Sequence, residues 1–181
     1  MLLIPGLWNS GPLHWQTEWE KLHPDWRRVI QRDFDHPEPE EWARTLDEAI
    51  RACPRHPVLA AHSLGCSLVA YWAAKYGGAG VAAAMLVAPS DVEAPNYPVE
   101  GRAFTTMSLQ RLPFRSKVIS STNDEYVTVD RARSFAQAWG REFVSIGDAG
   151  HINGASGYGR WTEGEQMLIS LVAGGQESAR Q

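Results

Sequence analysis

The chain has 181 residues, 44% of them hydrophobic and 21% charged, with a formal net charge of -4. That is the make-up of one ordinary globular domain, and the acidic balance removes the electrostatic reason to expect nucleic acid or an anionic membrane as partner. Two cysteines, Cys53 and Cys66, form neither a disulfide framework nor a four-ligand zinc pattern, and no apolar run is long enough to span a bilayer. Met1 to Ile4 lacks the positive flank and long apolar stretch of a signal peptide, so a cytoplasmic protein is expected.

Leu2-Leu3-Ile4 reads as a buried strand, and Pro5 to Pro12 as the loop at its carboxyl end. Trp15, Trp19 and Leu22 recur at helical spacing and predict a helix after that loop. Strand, glycine-bearing loop and helix form the opening unit of an α/β fold, in which ligands gather at the carboxyl ends of strands. The loop matches neither phosphate-cradling glycine pattern. Its better role is to present a backbone N–H, from Leu7 or Trp8, to a developing negative charge.

Arg28-Val29-Ile30-Gln31 predicts a second strand, and Glu40 to Ala52 a helix with Trp42, Leu46, Ala49 and Ile50 on one face, ended by Pro54. Next comes Pro57-Val58-Leu59-Ala60-Ala61-His62-Ser63-Leu64-Gly65-Cys66, which continues into an alanine-rich amphipathic run stopped by Gly77 and Gly78. Strand, tight turn and helix are the setting in which a serine is pushed out above a sheet edge as a nucleophile. Ala61 stands where the usual GxSxG pattern has its first glycine, and Gly65 where it has its second. The following helix leaves its first N–H groups unpaired and favours negative charge there, so the Leu64 N–H would face an oxyanion formed at Ser63.

Val81 to Ala88 predicts a strand buried on both faces. Pro89 to Ser116 has room for a loop and one short helix near Ala103 to Leu109, but not for a cap domain, so an open site is expected. Lys117 to Ser121 reads as a strand, Asn123 to Val127 as a turn, Asp130 to Trp139 as a helix and Glu142 to Ile146 as the last strand. A loop from Gly147 to Gly159 carries His151, and Arg160 to Val172 fits the last helix. One domain is expected over residues 1–173, with a flexible tail over 174–181. Its predicted fold is α/β, a mostly parallel sheet of about six strands with helices on both faces and no cap domain.

Ser63, Asp124 and His151 each follow a predicted strand, so all three project from one carboxyl edge in the order Ser, Asp, His that α/β-hydrolases use. A neutral serine is a poor nucleophile; His151 would take its proton, and Asp124 would hold the imidazole tautomer. Asp91, after a strand, and Asp148, just before His151, are alternative acids. His62 adjoins Ser63 and should point away from it as a structural partner for a nearby loop. His14, His23, His36 and His56 fall in loops or at helix starts, where exposure is expected. Cys66 reads as a small core residue, and no His or carboxylate pair has metal-ligand spacing, so neither metal nor other cofactor is expected. The eight Trp are expected to divide between the core and an apolar or aromatic cleft.

Several stretches carry a family likeness: Ile4-Pro5-Gly6, Ser10-Gly11-Pro12-Leu13-His14-Trp15-Gln16, His62-Ser63-Leu64-Gly65, Asn123-Asp124-Glu125-Tyr126-Val127, and Gly150-His151-Ile152-Asn153 with Gly157 and Trp161. They resemble the small α/β-hydrolases of the retinoblastoma-binding-protein-9-like serine hydrolase family, over nearly the whole chain. The resemblance implies a compact hydrolase with its triad on Ser63, Asp124 and His151, acting on a carboxylic ester or related bond. The LxCxE motif that gave the family its name does not occur, so binding to that partner is not implied. The expected function is therefore hydrolysis of a small carboxylic ester through an acyl-enzyme. Leu7 and Leu64 would be the oxyanion donors, and Trp8 and Trp161 would lie beside a small-molecule substrate. Amide or thioester cleavage, or a non-enzymatic binding protein on the same fold, are the rival expectations.

Overall fold

The computed structural model of the chain describes residues 1–105 and 107–178. Six strands form one sheet: β1 (Leu2–Ile4), β2 (Arg27–Arg28), β3 (Val58–His62), β4 (Ala83–Val87), β5 (Arg115–Ser120) and β6 (Glu142–Ser145). Their order is β2-β1-β3-β4-β5-β6, and every neighbouring pair is parallel. The chain builds outward to β2, then returns past β1 to β3. That reversal opens a crevice at the carboxyl ends of β1 and β3, the place where open α/β sheets bind ligands.

Alternation along the strands sends side chains to two cores. Leu2, Ile4, Leu59, Ala61, Leu86 and Val118 face one side, and Leu3, Val58, Ala60, Met85, Val87 and Ile119 the other. The first side is covered by α2 (Pro39–Arg51), α3 (Leu64–Tyr76) and α4 (Val129–Trp139), through Trp42, Leu46, Trp72, Phe135 and Trp139. The second is covered by α1 (Trp15–Leu22) and α5 (Thr162–Ser178), through Trp15, Trp19 and Leu168. Helix α3 is buried almost all round its first ten residues, because α2 packs on its outer side as the sheet does on its inner one. Its sequence therefore carries less amphipathic contrast than that of α2, whose outer face is solvated.

Three departures from the sequence reading concern the limits of elements. The second strand is only Arg27–Arg28, one place earlier and shorter than Arg28 to Gln31. The helical turn in the β4–β5 connection is a 3-10 turn at Val99–Ala103, upstream of the expected Ala103 to Leu109, a stretch in which residue 106 lies outside the described residues. The last helix runs to Ser178 rather than ending at Val172; of the expected tail, 179–181 lie outside the described residues. The connection between β4 and β5 adds no cap domain, and its Tyr97 and Pro98 line a cleft at the carboxyl edge of the sheet.

Tryptophans fill the core more than the cleft. Trp15, Trp19, Trp42, Trp72 and Trp139 are fully buried, and each indole N–H donates to an oxygen: Ile152, Arg160, Asp33, Asp47 and Ser108 respectively. Burial of so large a ring is stabilising only when its N–H is paired, and here the pairing also ties α1 to the loop that carries His151.

Candidate active site

Ser63 lies between β3 and α3 with φ 54 and ψ -123, a conformation that costs a non-glycine residue about 1–3 kcal/mol and lifts its side chain above the sheet edge. The turn is held by the Ser63 N–H donating to the Val87 carbonyl, 3.0 Å, at the end of the neighbouring strand. Its steric demand falls on Gly65. A Cβ there would sit 2.4 Å from the Ile4 carbonyl oxygen and 2.8 Å from that of Pro5. Ala61, in place of the usual first glycine, costs the turn nothing: it is a β3 residue paired with Ile4 and Leu86, and its methyl packs in the core.

The other two residues arrive from the ends of β5 and β6. His151 Nε2 lies 2.8 Å from Ser63 Oγ, and His151 Nδ1 lies 2.9 and 2.8 Å from the two carboxylate oxygens of Asp124. A carboxylate accepts only, so Nδ1 carries the proton and Nε2 is left to accept from the serine hydroxyl. Asp124 is fixed in turn by the Tyr126 N–H, 2.9 Å from Oδ1, and its side chain is inaccessible to solvent. The alternative acids are elsewhere: Asp91 pairs with Arg131 at 3.0 Å, and Asp148 accepts from the Thr122 hydroxyl.

No acceptor among the described residues takes the N–H of Leu7 or of Leu64. The Trp8 N–H, the other loop candidate, is committed to the Phe34 carbonyl at 2.9 Å. Gly6 brings the β1 loop against the turn, since a Cβ at that position would lie 2.9 Å from the Leu64 nitrogen and 3.0 Å from Ser63 Cβ. The loop is anchored from behind by Gln16, fully buried, whose Nε2 donates to the Ile4 and Ala60 carbonyls at 3.1 and 2.9 Å, while Oε1 accepts from the Ser10 hydroxyl. Arg28 adds hydrogen bonds to Asn9 Oδ1 and the Ser10 carbonyl, both 2.8 Å. These contacts give a structural reason for the Ser10 to Gln16 motif.

The cavity over Ser63 has a volume of about 160 Å³ and is lined by Leu7, Trp8, Tyr97, Pro98, Tyr126 and Asn153 among others. Trp8, half-exposed at φ 61, stands at its rim. Trp161 does not reach it. It is buried on the α1 side of the sheet, edge-on to Trp15 and stacked on Trp19, which corrects its expected place beside the substrate. Tyr97, Tyr126 and Asn153 are lining residues that the sequence reading passed over; Tyr126 and Asn153 sit two residues past Asp124 and His151 respectively, which is the signal that could have found them.

Histidine placement brings a second correction. His36 and His56 are exposed as expected and His23 is half-buried, but His14 is buried beside His62 in the cavity wall. Burial, with Arg28 and His151 nearby, lowers the His14 pKa from 6.5 to about 3. His62 is likewise lowered well below the usual histidine value, chiefly by burial and then by His14 and His151. Both rings are therefore neutral at neutral pH. Burial pushes the Cys66 thiol up, which suits a core residue rather than a nucleophile. Among the described residues no group of three or more His, Cys, Asp or Glu could hold a metal ion, and no helix is long and apolar enough to cross a membrane.

A family model described as serine hydrolase matches residues 1–170. Among solved structures, a YdeN-like hydrolase from Pectobacterium atrosepticum matches with a TM-score of 0.85 and 31% identity, over 96% of this chain and 90% of that one. The ydeN gene product of B. subtilis matches with a TM-score of 0.76 and 18% identity, over 95% and 97%. Est1E from Butyrivibrio proteoclasticus, with ferulic acid bound, matches with a TM-score of 0.67 and 13% identity, over 99% and 89%. The last two are similar in fold alone. The six-stranded parallel sheet with helices on both faces is the α/β-hydrolase fold of these neighbours. No curated protein matches the chain by sequence.

Proposed function

The chain belongs to the serine hydrolase family, and from that premise we propose that it hydrolyses a small carboxylic ester with Ser63 as nucleophile, His151 as base and Asp124 as the acid that orients it. The observation that carries this reading is the unbroken line from Ser63 Oγ through the His151 ring to Asp124, with contacts of 2.8 Å at each end. As Oγ bonds to the ester carbonyl carbon, its proton passes to Nε2, and Asp124 stabilises the imidazolium. The carbonyl oxygen becomes an oxyanion between the Leu7 and Leu64 N–H groups, each such donor contributing about 3 kcal/mol by analogy with measured cases. Collapse expels the alcohol with the proton from Nε2. Water then repeats the sequence on the acyl-enzyme, returning the acid and free Ser63.

A cavity of about 160 Å³ is smaller than the roughly 300–1,000 Å³ of drug-sized sites, so the acyl group is a short one. Within the family we place the chain with the retinoblastoma-binding-protein-9-like hydrolases, on the loop motifs around His14 and His151, and in the cytoplasm, on its two unpaired cysteines. The test is hydrolysis of p-nitrophenyl esters of increasing acyl length by the wild type and Ser63→Ala. The wild type should favour acetate to butyrate over octanoate, and the variant should lose the activity. Equal rates in the two proteins would refute Ser63 as nucleophile. No turnover and no labelling by a fluorophosphonate probe would favour a binding protein on this fold.

A further inference from the structure

His14 and His62 take no part in the proton transfers of that mechanism, yet they are two buried imidazoles packed behind the ring that does. Their hydrogen bonds form a chain whose direction is fixed at both ends. At one end the Gln16 backbone N–H, which can only donate, points at His14 Nδ1 from 3.1 Å. His14 therefore carries its proton on Nε2, which lies 3.3 Å from His62 Nδ1. At the other end His62 Nε2 lies 2.8 Å from the His151 carbonyl, which can only accept. His62 thus carries its proton on Nε2, leaving Nδ1 to accept from His14. Both rings must be neutral for the chain to close, and the assignments made from its two ends agree.

The segment that receives this chain is strained. Ile152 has φ 46, and a β-branched residue at positive φ is a genuine outlier that persists only where its surroundings hold it. The holding contacts are in view. The His62 ring takes the His151 carbonyl, Trp15 Nε1 takes the Ile152 carbonyl at 2.9 Å, and the Ser156 hydroxyl accepts from the His151 N–H at 3.2 Å. Helix α1 and the carboxyl end of β3 thus fix the backbone on both sides of the catalytic imidazole.

We infer that His62 and His14 are positioning residues, a one-way hydrogen-bond chain from the Gln16 N–H to the His151 carbonyl that keeps the His151 ring between Ser63 and Asp124. The inference rests on the proposed mechanism, because positioning matters only if His151 is the base. Its energetic sense is that a misplacement of about 1 Å at a reacting group costs on the order of 100-fold in rate. His14 and His62 also line the cavity, so a positioning role is told from a binding one by whether kcat or KM carries the loss.

The test compares kcat and KM for p-nitrophenyl acetate in the wild type, His62→Leu and His62→Gln, with the Tm of each. His62→Leu leaves the His151 carbonyl unpaired and should lower kcat about 100-fold, a far larger change than any in KM. His62→Gln, whose Nε2 reaches the same carbonyl, should recover most of that loss. A His62→Leu kcat within twofold of the wild type would overturn the inference, as would a His62→Gln enzyme as slow as His62→Leu. Nitrogen-15 imidazole spectra of the wild-type protein provide a reading that needs neither variant nor activity. Both His14 and His62 should be neutral with the proton on Nε2 at pH 7. A proton on Nδ1 of either ring, or an imidazolium, would overturn the chain. Wild-type protein that neither hydrolyses ester nor labels with fluorophosphonate would instead refute the mechanism on which the positioning role depends.

Discussion

Acidification should destabilise this protein well before its carboxylates titrate, and the magnitude follows from His14. Its ring is 6% exposed, and its pKa is about 3 in the folded chain against 6.5 when solvated. A folded pKa below the unfolded one means that the unfolded chain binds the proton more tightly. The stability is therefore intact above pH 6.5 and is lost as pH falls from there toward 3. At pH 5 the unfolded state holds nearly one proton that the folded state refuses, which costs about 2 kcal/mol. For a domain of this size that is a fall in Tm of roughly 4–8 °C between pH 7 and pH 5. His62, lowered for the same cause, adds to it in the same direction. The assay is thermal or urea unfolding from pH 7.5 to 4.5 in the wild type and His14→Gln. The variant has no imidazole to protonate at that position, so its curve should be shallower by about 2.7 kcal/mol over that range. Parallel curves would refute the reasoning by showing that His14 is protonated alike in both states.

Gly65→Ala would drive a methyl to within 2.4 Å of the Ile4 carbonyl oxygen, which forces β1 and the elbow apart and should cost about 2–3 kcal/mol, read as a lower Tm; an unchanged Tm would show that the elbow has slack. Asp124→Asn keeps the shape but presents an N–H to His151 Nδ1, so the ring's proton moves to Nε2 and Ser63 loses its base. Ester turnover should drop about 10,000-fold with little change in Tm; a loss below tenfold would mean that another acid, Asp91 or Asp148, does the orienting.

The sheet and the Ser63–His151–Asp124 line were legible because they rest on local patterns repeated along the chain: short apolar runs, each followed by a turn bearing one chemically distinctive residue. The strand ends put those residues on one edge whatever the helices do. Element limits were less legible where tertiary contacts decide them. In the second strand Arg27 and Arg28 are registered against β1, the last hydrogen bond to it comes from the Val29 N–H to the Leu3 carbonyl at 2.9 Å, and Ile30 is already exposed to solvent, although Val29 and Ile30 have the residue types of a strand. The role of Gly65 in admitting the Ile4 and Pro5 carbonyls, and the indifference of Ala61, follow from how closely β1 approaches the elbow, which no pentapeptide pattern encodes. Trp161 went astray because an aromatic ten residues after His151 can turn to either face of the sheet, and stacking on Trp19 turns it away from the cleft. The His14–His62 pair was out of reach for a similar reason: the two rings are 48 residues apart in sequence, and while His62 reads as a structural partner for a nearby loop, His14 alone reads as an exposed one.

The most direct test of the central claim is to treat the folded protein with a fluorophosphonate at pH 7.5 and locate the adduct by peptide mass spectrometry. A single phosphonylation on Ser63, absent in Ser63→Ala and slowed in Asp124→Asn, is the predicted result. Folded wild-type protein that carries no adduct, or carries it on another residue, would contradict the assignment of Ser63 as the nucleophile.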